Sequence, residues 1–144
     1  MKEAGRCLGV DLGRVRVGLA LSDPLGLVAQ PLAVVEHRGP RRAVESVARA
    51  IDEHSVTTVV VGLPLLLSGA AGERAQDART FVERLARQRP EVRVELWDER
   101  LTTAQAERTM VDASVRRSVR KKTIDAVAAA LILQSWLDAH ATTG

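Results

Sequence analysis

Apolar residues fall in short runs separated by polar joints along the first third of the chain. Residues 7–12, "VRVGLAL" (15–21) and "GLVAQPLAVVEH" (26–37) are three such runs with only a few residues between them. That spacing predicts three strands in an antiparallel meander. From Pro40 the period changes. Ala43, Val44, Val47, Ala48 and Ile51 recur at helical spacing, and Pro40 suits a first turn. "TTVVVGLP" (57–64) is a continuous β-branched run, the pattern of a strand covered on both faces. A glycine-containing loop then leads to a helix over about 73–88, and "VRVELWDE" (92–99) reads as another strand. A short helix is expected from near Thr102, and a long apolar one from about Arg120 to Ala139. The order β-β-β-α-β-α-β-α-α predicts an α/β fold, a mixed sheet with helices packed on its faces. There is no internal repeat or low-complexity linker, and 144 residues suit one domain over 1–144.

Composition narrows the function classes. The net charge is +3 and the pI about 9.7, a mild basic bias compatible with a nucleic-acid partner. Aromatic residues are only Phe81, Trp97 and Trp136, too few for a base-stacking platform. The single cysteine, Cys7, permits no internal disulfide and reads as a structural thiol, which fits a reducing compartment. No apolar run approaches membrane-spanning length and no leader-like segment opens the chain, so a soluble, cytoplasmic protein with no membrane partner is expected. His37, His54 and His140 show no metal-ligand spacing, and neither a serine-nucleophile motif nor a P-loop is present.

The chemistry lies in carboxylates. Asp11 ends the first strand, among apolar residues where an acid is out of place. Asp98 and Glu99 close the fifth strand in "WDERLTT". Strand alternation points them to opposite faces, so one is expected at a site while the other caps the next element. Asp125 heads the last helix. Its neighbours three, four and seven positions on are Ala128, Ala129 and Ile132, and Trp136 continues that stripe, so the acid is expected to face the sheet. A lone buried carboxylate is costly and calls for a cation or a hydrogen-bond partner. Three acids converging at one sheet edge repel one another unless a divalent ion sits among them, and hard oxygen donors suit Mg2+ or Mn2+. Such a site hydrolyses phosphodiesters.

These motifs resemble the YqgF/RuvX family of bacterial nucleases in the ribonuclease H-like superfamily. "GVDLGRVRVGLALSD", "VVVGLPL", "DERLTT" and "KKTIDAVAAALILQSWL" match its successive motifs in order, over nearly the whole chain. The resemblance implies a ribonuclease H-like mixed five-stranded sheet in the order 3-2-1-4-5 with helices on both faces. It implies a catalytic and metal-binding set of Asp11, Glu99 and Asp125, and a basic residue, Arg16, in the first motif. It also implies a nucleic-acid substrate, either pre-16S ribosomal RNA at its 5′ end or branched DNA of the Holliday-junction type. Junction resolution requires two symmetric cuts and hence a homodimer, whereas RNA processing is open to a monomer. "SVRRSVRKKT" (114–123) carries Arg116, Arg117, Arg120, Lys121 and Lys122 with no acid between Asp112 and Asp125. With Arg16, it is expected to hold the substrate backbone. Two other readings compete. "VDLG" also looks like a phosphate loop of sugar-kinase and actin-like ATPases, which need a second such loop and a second domain. A non-catalytic nucleic-acid binding module would explain the basic tract but not three converging acids.

Overall fold

The computed structural model describes residues 5–64, 72–102 and 124–140. Strands β1 (Arg6–Leu12), β2 (Arg16–Ser22) and β3 (Ala29–Glu36) are followed by helix α1 (Pro40–His54), strand β4 (Val56–Leu63), helix α2 (Glu73–Gln88) and strand β5 (Arg93–Asp98). A 3-10 turn (Glu99–Leu101) follows β5, and helix α3 spans Ile124–His140. The five strands form one sheet in the order β3-β2-β1-β4-β5. β1 pairs antiparallel with β2 and parallel with β4, while β5 lies parallel to β4. The meander and the mixed sheet follow the hydrophobic pattern. The short helix expected near Thr102 and the start of the last helix at Arg120 lie outside the described residues.

Alternation along the strands builds two cores. Leu8, Val10, Val17, Val59 and Val61 face α1 and α2, against Val44, Val47, Phe81 and Leu85. On the opposite face Ala20 and Val60 meet Ala129, Ile132, Leu133 and Trp136 of α3. The continuous apolar run of β4 is thus covered on both sides. α1 buries all five residues of its predicted stripe and stops at Ser55, which takes the left-handed conformation.

α3 lies unusually close to the sheet because glycine meets it there. A methyl on Gly9 would stand 2.7 Å from the Ala129 carbonyl oxygen, and one on Gly18 only 2.0 Å from that of Asp125. Two polar side chains lock the helix in place. Gln134 is fully buried; its Oε1 accepts from the Ala29 amide at 2.8 Å and its Nε2 donates to the Leu27 carbonyl at 3.0 Å, fixing the start of β3. Ser135 accepts from the Trp97 indole at 3.1 Å and donates to the Leu101 carbonyl at 2.6 Å, tying β5 and its 3-10 turn to the same helix.

Candidate active site

The parallel strands β1, β4 and β5 end at the same edge of the sheet, the place where open α/β sheets bind ligands. Asp11 stands there at the end of β1, on the α3 face. It is flanked by glycine on both sides. Gly18 of β2 is its direct partner, and Gly62 of β4 lies one residue beyond the Val10–Val61 pair. These glycines admit the other two acids. The Asp125 backbone lies on Gly18, and the Glu99 side chain lies over Gly62, whose added methyl would come 3.1 Å from Glu99 Cγ. With adjacent strands about 4.8 Å apart, the three acids draw on a strip of sheet roughly 10 Å wide.

The electrostatics follow from that crowding. Burial, and then the charge of Asp125, push the Asp11 carboxyl above its ordinary range, against a smaller opposing pull from Arg74. Glu99 is likewise pushed up, by burial first and then by Asp11, with Arg74 again opposing. Such perturbed pairs in a cleft mark functional sites. Asp98 behaves differently. Its carboxylate accepts from the Arg100 amide at 2.9 Å and pairs with the Arg100 guanidinium at 2.7 Å, which lowers its pKa. It caps the 3-10 turn that carries Glu99, so of the two adjacent acids Asp98 is the turn cap and Glu99 the one that lies over Gly62.

Two expectations are modified in detail. Glu99 was expected in the fifth strand, but β5 ends at Asp98 and the turn carries Glu99 instead. Asp125 was expected to face the sheet. Its side chain keeps 39% of its exposure and pairs with Arg16, Nε to Oδ2, at 3.3 Å. The apolar stripe begins one residue later, with Ala126 buried, so Asp125 sits on the border of that face. Arg16 therefore belongs to the carboxylate end of the sheet. Arg116, Arg117, Arg120, Lys121 and Lys122 lie outside the described residues.

The donor set is chemically suited to a hard divalent cation: oxygen ligands, half-buried, with mutual repulsion that a cation would relieve. Among the described residues no group of three His, Cys, Asp or Glu side chains is yet drawn together tightly enough to hold an ion. The Asp125 carboxylate is paired with Arg16 while its charge still acts on Asp11.

Sequence reasoning overlooked the glycines, Arg74 and His37. Arg74 lies in the first turn of α2 and donates to the Leu12 carbonyl at 3.4 Å, beside Asp11. His37 is not a free surface residue. Its Nδ1 accepts from the Gly39 amide at 3.2 Å, which leaves Nε2 as donor to the Gly13 carbonyl at 3.0 Å, in the turn after Asp11. Arg74 and His37 act across the sheet from distant elements, which no local spacing signals. The glycines were visible as residues, but the helix lying on them was not.

A sequence model of the family described as RuvX, Holliday junction resolvase, matches residues 5–139. A protein of Myxococcus xanthus named "Putative pre-16S rRNA nuclease" is 48% identical over 135 residues, covering 94% of this chain and 89% of that protein. Proteins of the same name from Pelotomaculum thermopropionicum and an Anaeromyxobacter strain are 45% and 47% identical, covering 94% and 92% of this chain and 88% and 96% of theirs. In fold, the chain resembles Thermus thermophilus RuvC in complex with a Holliday junction substrate, with a TM-score of 0.66, 18% identity, and 97% and 98% of the two chains covered. It also resembles the Fowlpox virus resolvase in its junction complex, with a TM-score of 0.56 and 11% identity over 93% of this chain and 97% of the other. The architecture is ribonuclease H-like.

Proposed function

Because the chain belongs to the RuvX family of Holliday junction resolvases, we propose that it is a metal-dependent endonuclease of structured RNA that matures the 5′ end of pre-16S ribosomal RNA in the cytoplasm. The family and the named relatives make it a nuclease, a hydrolase of phosphodiester bonds. The observation that carries the rest is the strip of sheet where Gly18 and Gly62 let Asp125 and Glu99 stand on either side of Asp11.

In this reading Asp11, Glu99 and Asp125 hold Mg2+ or Mn2+. The ion, when bound, supplies the Lewis acidity that phosphodiester hydrolysis needs. The chain's own groups prepare that step. Asp11 and Glu99 are pressed together by the fold, and their raised affinity for protons is the electrostatic deficit that a cation relieves. Arg16 holds Asp125 by one guanidinium nitrogen, and among the described residues its other N–H groups have no hydrogen-bond partner and can approach a phosphate oxygen. A substrate phosphate that takes up Arg16 would free the Asp125 carboxylate for the cation. Ser135 keeps the turn bearing Glu99 anchored to the helix bearing Asp125, so the two acids move as one body. The basic tract of residues 114–123 runs into that helix and supplies phosphate contacts.

The preference for ribosomal RNA rests on relatives at 45–48% identity that carry that name. The family description favours a second reading, resolution of DNA junctions by a homodimer. The test is cleavage of precursor 16S RNA and of a four-way junction side by side, with and without chelator, in wild type and Asp11→Asn, with solution mass measured under the same conditions. RNA cleavage that needs metal and Asp11 is expected. Cleavage of the junction alone, by a dimer, selects the second reading, and wild-type rates in folded Asp11→Asn protein would remove the site altogether.

A further inference from the structure

A cavity of about 460 Å³ opens between α1 and α2 at the same end of the sheet, on the face opposite α3. Its floor is apolar, formed by Leu12, Ala43 and Phe81, and α2 supplies a wall with Arg74, Asp77 and Arg84. We propose that this cavity receives a short single-stranded segment of the substrate, leading away from the scissile phosphate along α2. The proposal rests on the nuclease reading and adds a binding site to it.

The argument starts from charge. Arg14, on the rim, is engaged with Glu73 at 3.3 Å. Arg74 and Arg84 have no carboxylate within ion-pair distance among the described residues, and the only bond of Arg74 there is the long one to the Leu12 carbonyl. Arg74 lies in the first turn of α2, where the macrodipole opposes a cation, so helix stability does not account for it. Two guanidiniums lining a cavity, neither held in a close ion pair among the described residues, are suited to phosphate.

The spacing sets the ligand's length. Arg74 and Arg84 are ten residues apart on one helix, a rise of about 15 Å. That distance matches the phosphates of a run of roughly two to four nucleotides, the upper figure corresponding to the 3.4 Å rise of a stacked strand. Asp77 lies between the two arginines. A carboxylate there repels phosphate and accepts hydroxyl or amino protons, so a free anion fits poorly while a strand fits, with its phosphates at the two ends and a sugar or base edge between. Phe81 is buried and the His37 ring on the rim is held by its bonds to Gly13 and Gly39, so sequence preference should be weak. Arg74 also acts electrostatically on Asp11 and Glu99, which places this end of the cavity next to the reaction centre.

The experiment measures binding of a 5′-phosphorylated trinucleotide by the full chain in chelator, so that cleavage plays no part. Arg84 is exposed and ten residues along α2 from Arg74, so its replacement should leave folding intact, which circular dichroism checks. Arg84→Ala is expected to weaken binding by about tenfold, Arg84→Glu by more, and the log–log salt slope should fall by about 0.7. Asp11→Asn should bind the trinucleotide as well as wild type does. On a cleavable substrate with a single-stranded flank, Arg84→Ala should raise KM and leave kcat unchanged. Trinucleotide binding through Arg84 in a protein that cleaves nothing would support the cavity while removing the nuclease reading. Unchanged affinity and salt slope in both Arg84 variants would overturn the proposal, as would inorganic phosphate competing as strongly as the trinucleotide.

Discussion

Replacing Gly18 with alanine should damage catalysis far more than folding. The new methyl would stand 2.0 Å from the Asp125 carbonyl oxygen and 2.4 Å from its carbon, and real Cβ atoms essentially never come within 3.0 Å of such neighbours. These are backbone atoms and no rotamer relieves them. The first turn of α3 must therefore retreat by at least the 1.0 Å separating those two distances. Overpacking of this kind costs about 1–3 kcal/mol. Alanine's lower unfolded-state entropy recovers about 0.5–1 kcal/mol of that. For a chain of 144 residues, each kcal/mol is worth about 3 °C, so the fall in Tm should be at most about 8 °C. The retreat carries Asp125 with it, and a misplacement of about 1 Å at a reacting centre costs on the order of a hundredfold in rate. Gly62→Ala serves as the graded companion. Its methyl meets the end of the Ile132 side chain at 2.6 Å and Glu99 Cγ at 3.1 Å, groups that can yield, so both losses should be smaller. Thermal melts and single-turnover cleavage of end-labelled precursor RNA measure the two quantities. A Gly18→Ala protein with wild-type Tm and rate, or a Gly62→Ala protein worse than it, would refute the account of how the acids are gathered.

Removing the Asp11 charge should stabilise the metal-free protein. The folded state holds this proton more tightly than the unfolded chain does, so stability falls as pH rises from the ordinary carboxylate range through the raised value and then levels off. In chelator, Asp11→Asn should melt higher at neutral pH and flatten the part of the curve that lies above the ordinary carboxylate range; curves that stay parallel across the series would contradict it. In the basic tract, replacing Arg116, Arg117, Arg120, Lys121 and Lys122 with alanine should flatten the salt dependence of RNA binding by roughly two log–log units, as two or three phosphate contacts require. An unchanged slope would return the tract to ordinary charged surface.

Much of the fold was legible because its signals are local. Alternation in β1 and β2, the β-branched run of β4 and the stripe of α1 each report a face within a few residues. The carboxylates were legible for the opposite reason: an acid in an apolar strand violates the pattern around it. What sequence could not convey was contact between elements. Gly18 reads as a weak point in β2 until α3 is laid across it. Arg74 reads as one more exposed arginine until its helix is set beside β1. Asp125 was assigned to the buried stripe because a helical period does not say where along the helix burial begins. Its partner, Arg16, lies 109 residues away in the chain.

The acids are also far apart in time. Asp11 leaves the ribosome 114 positions before Asp125. At about 5–20 residues per second, this is an interval of roughly 6–23 s. Once residue 54 has emerged, well before Asp125, the nascent chain can pair β1, β2 and β3 and dock α1, because those contacts are between near neighbours. The glycine strip then faces solvent, with no helix on it and no third acid. On the proposed reading of the three acids, the chain is then latent, disarmed while it is still attached to the machine whose RNA it is proposed to trim, and cleavage waits for α3.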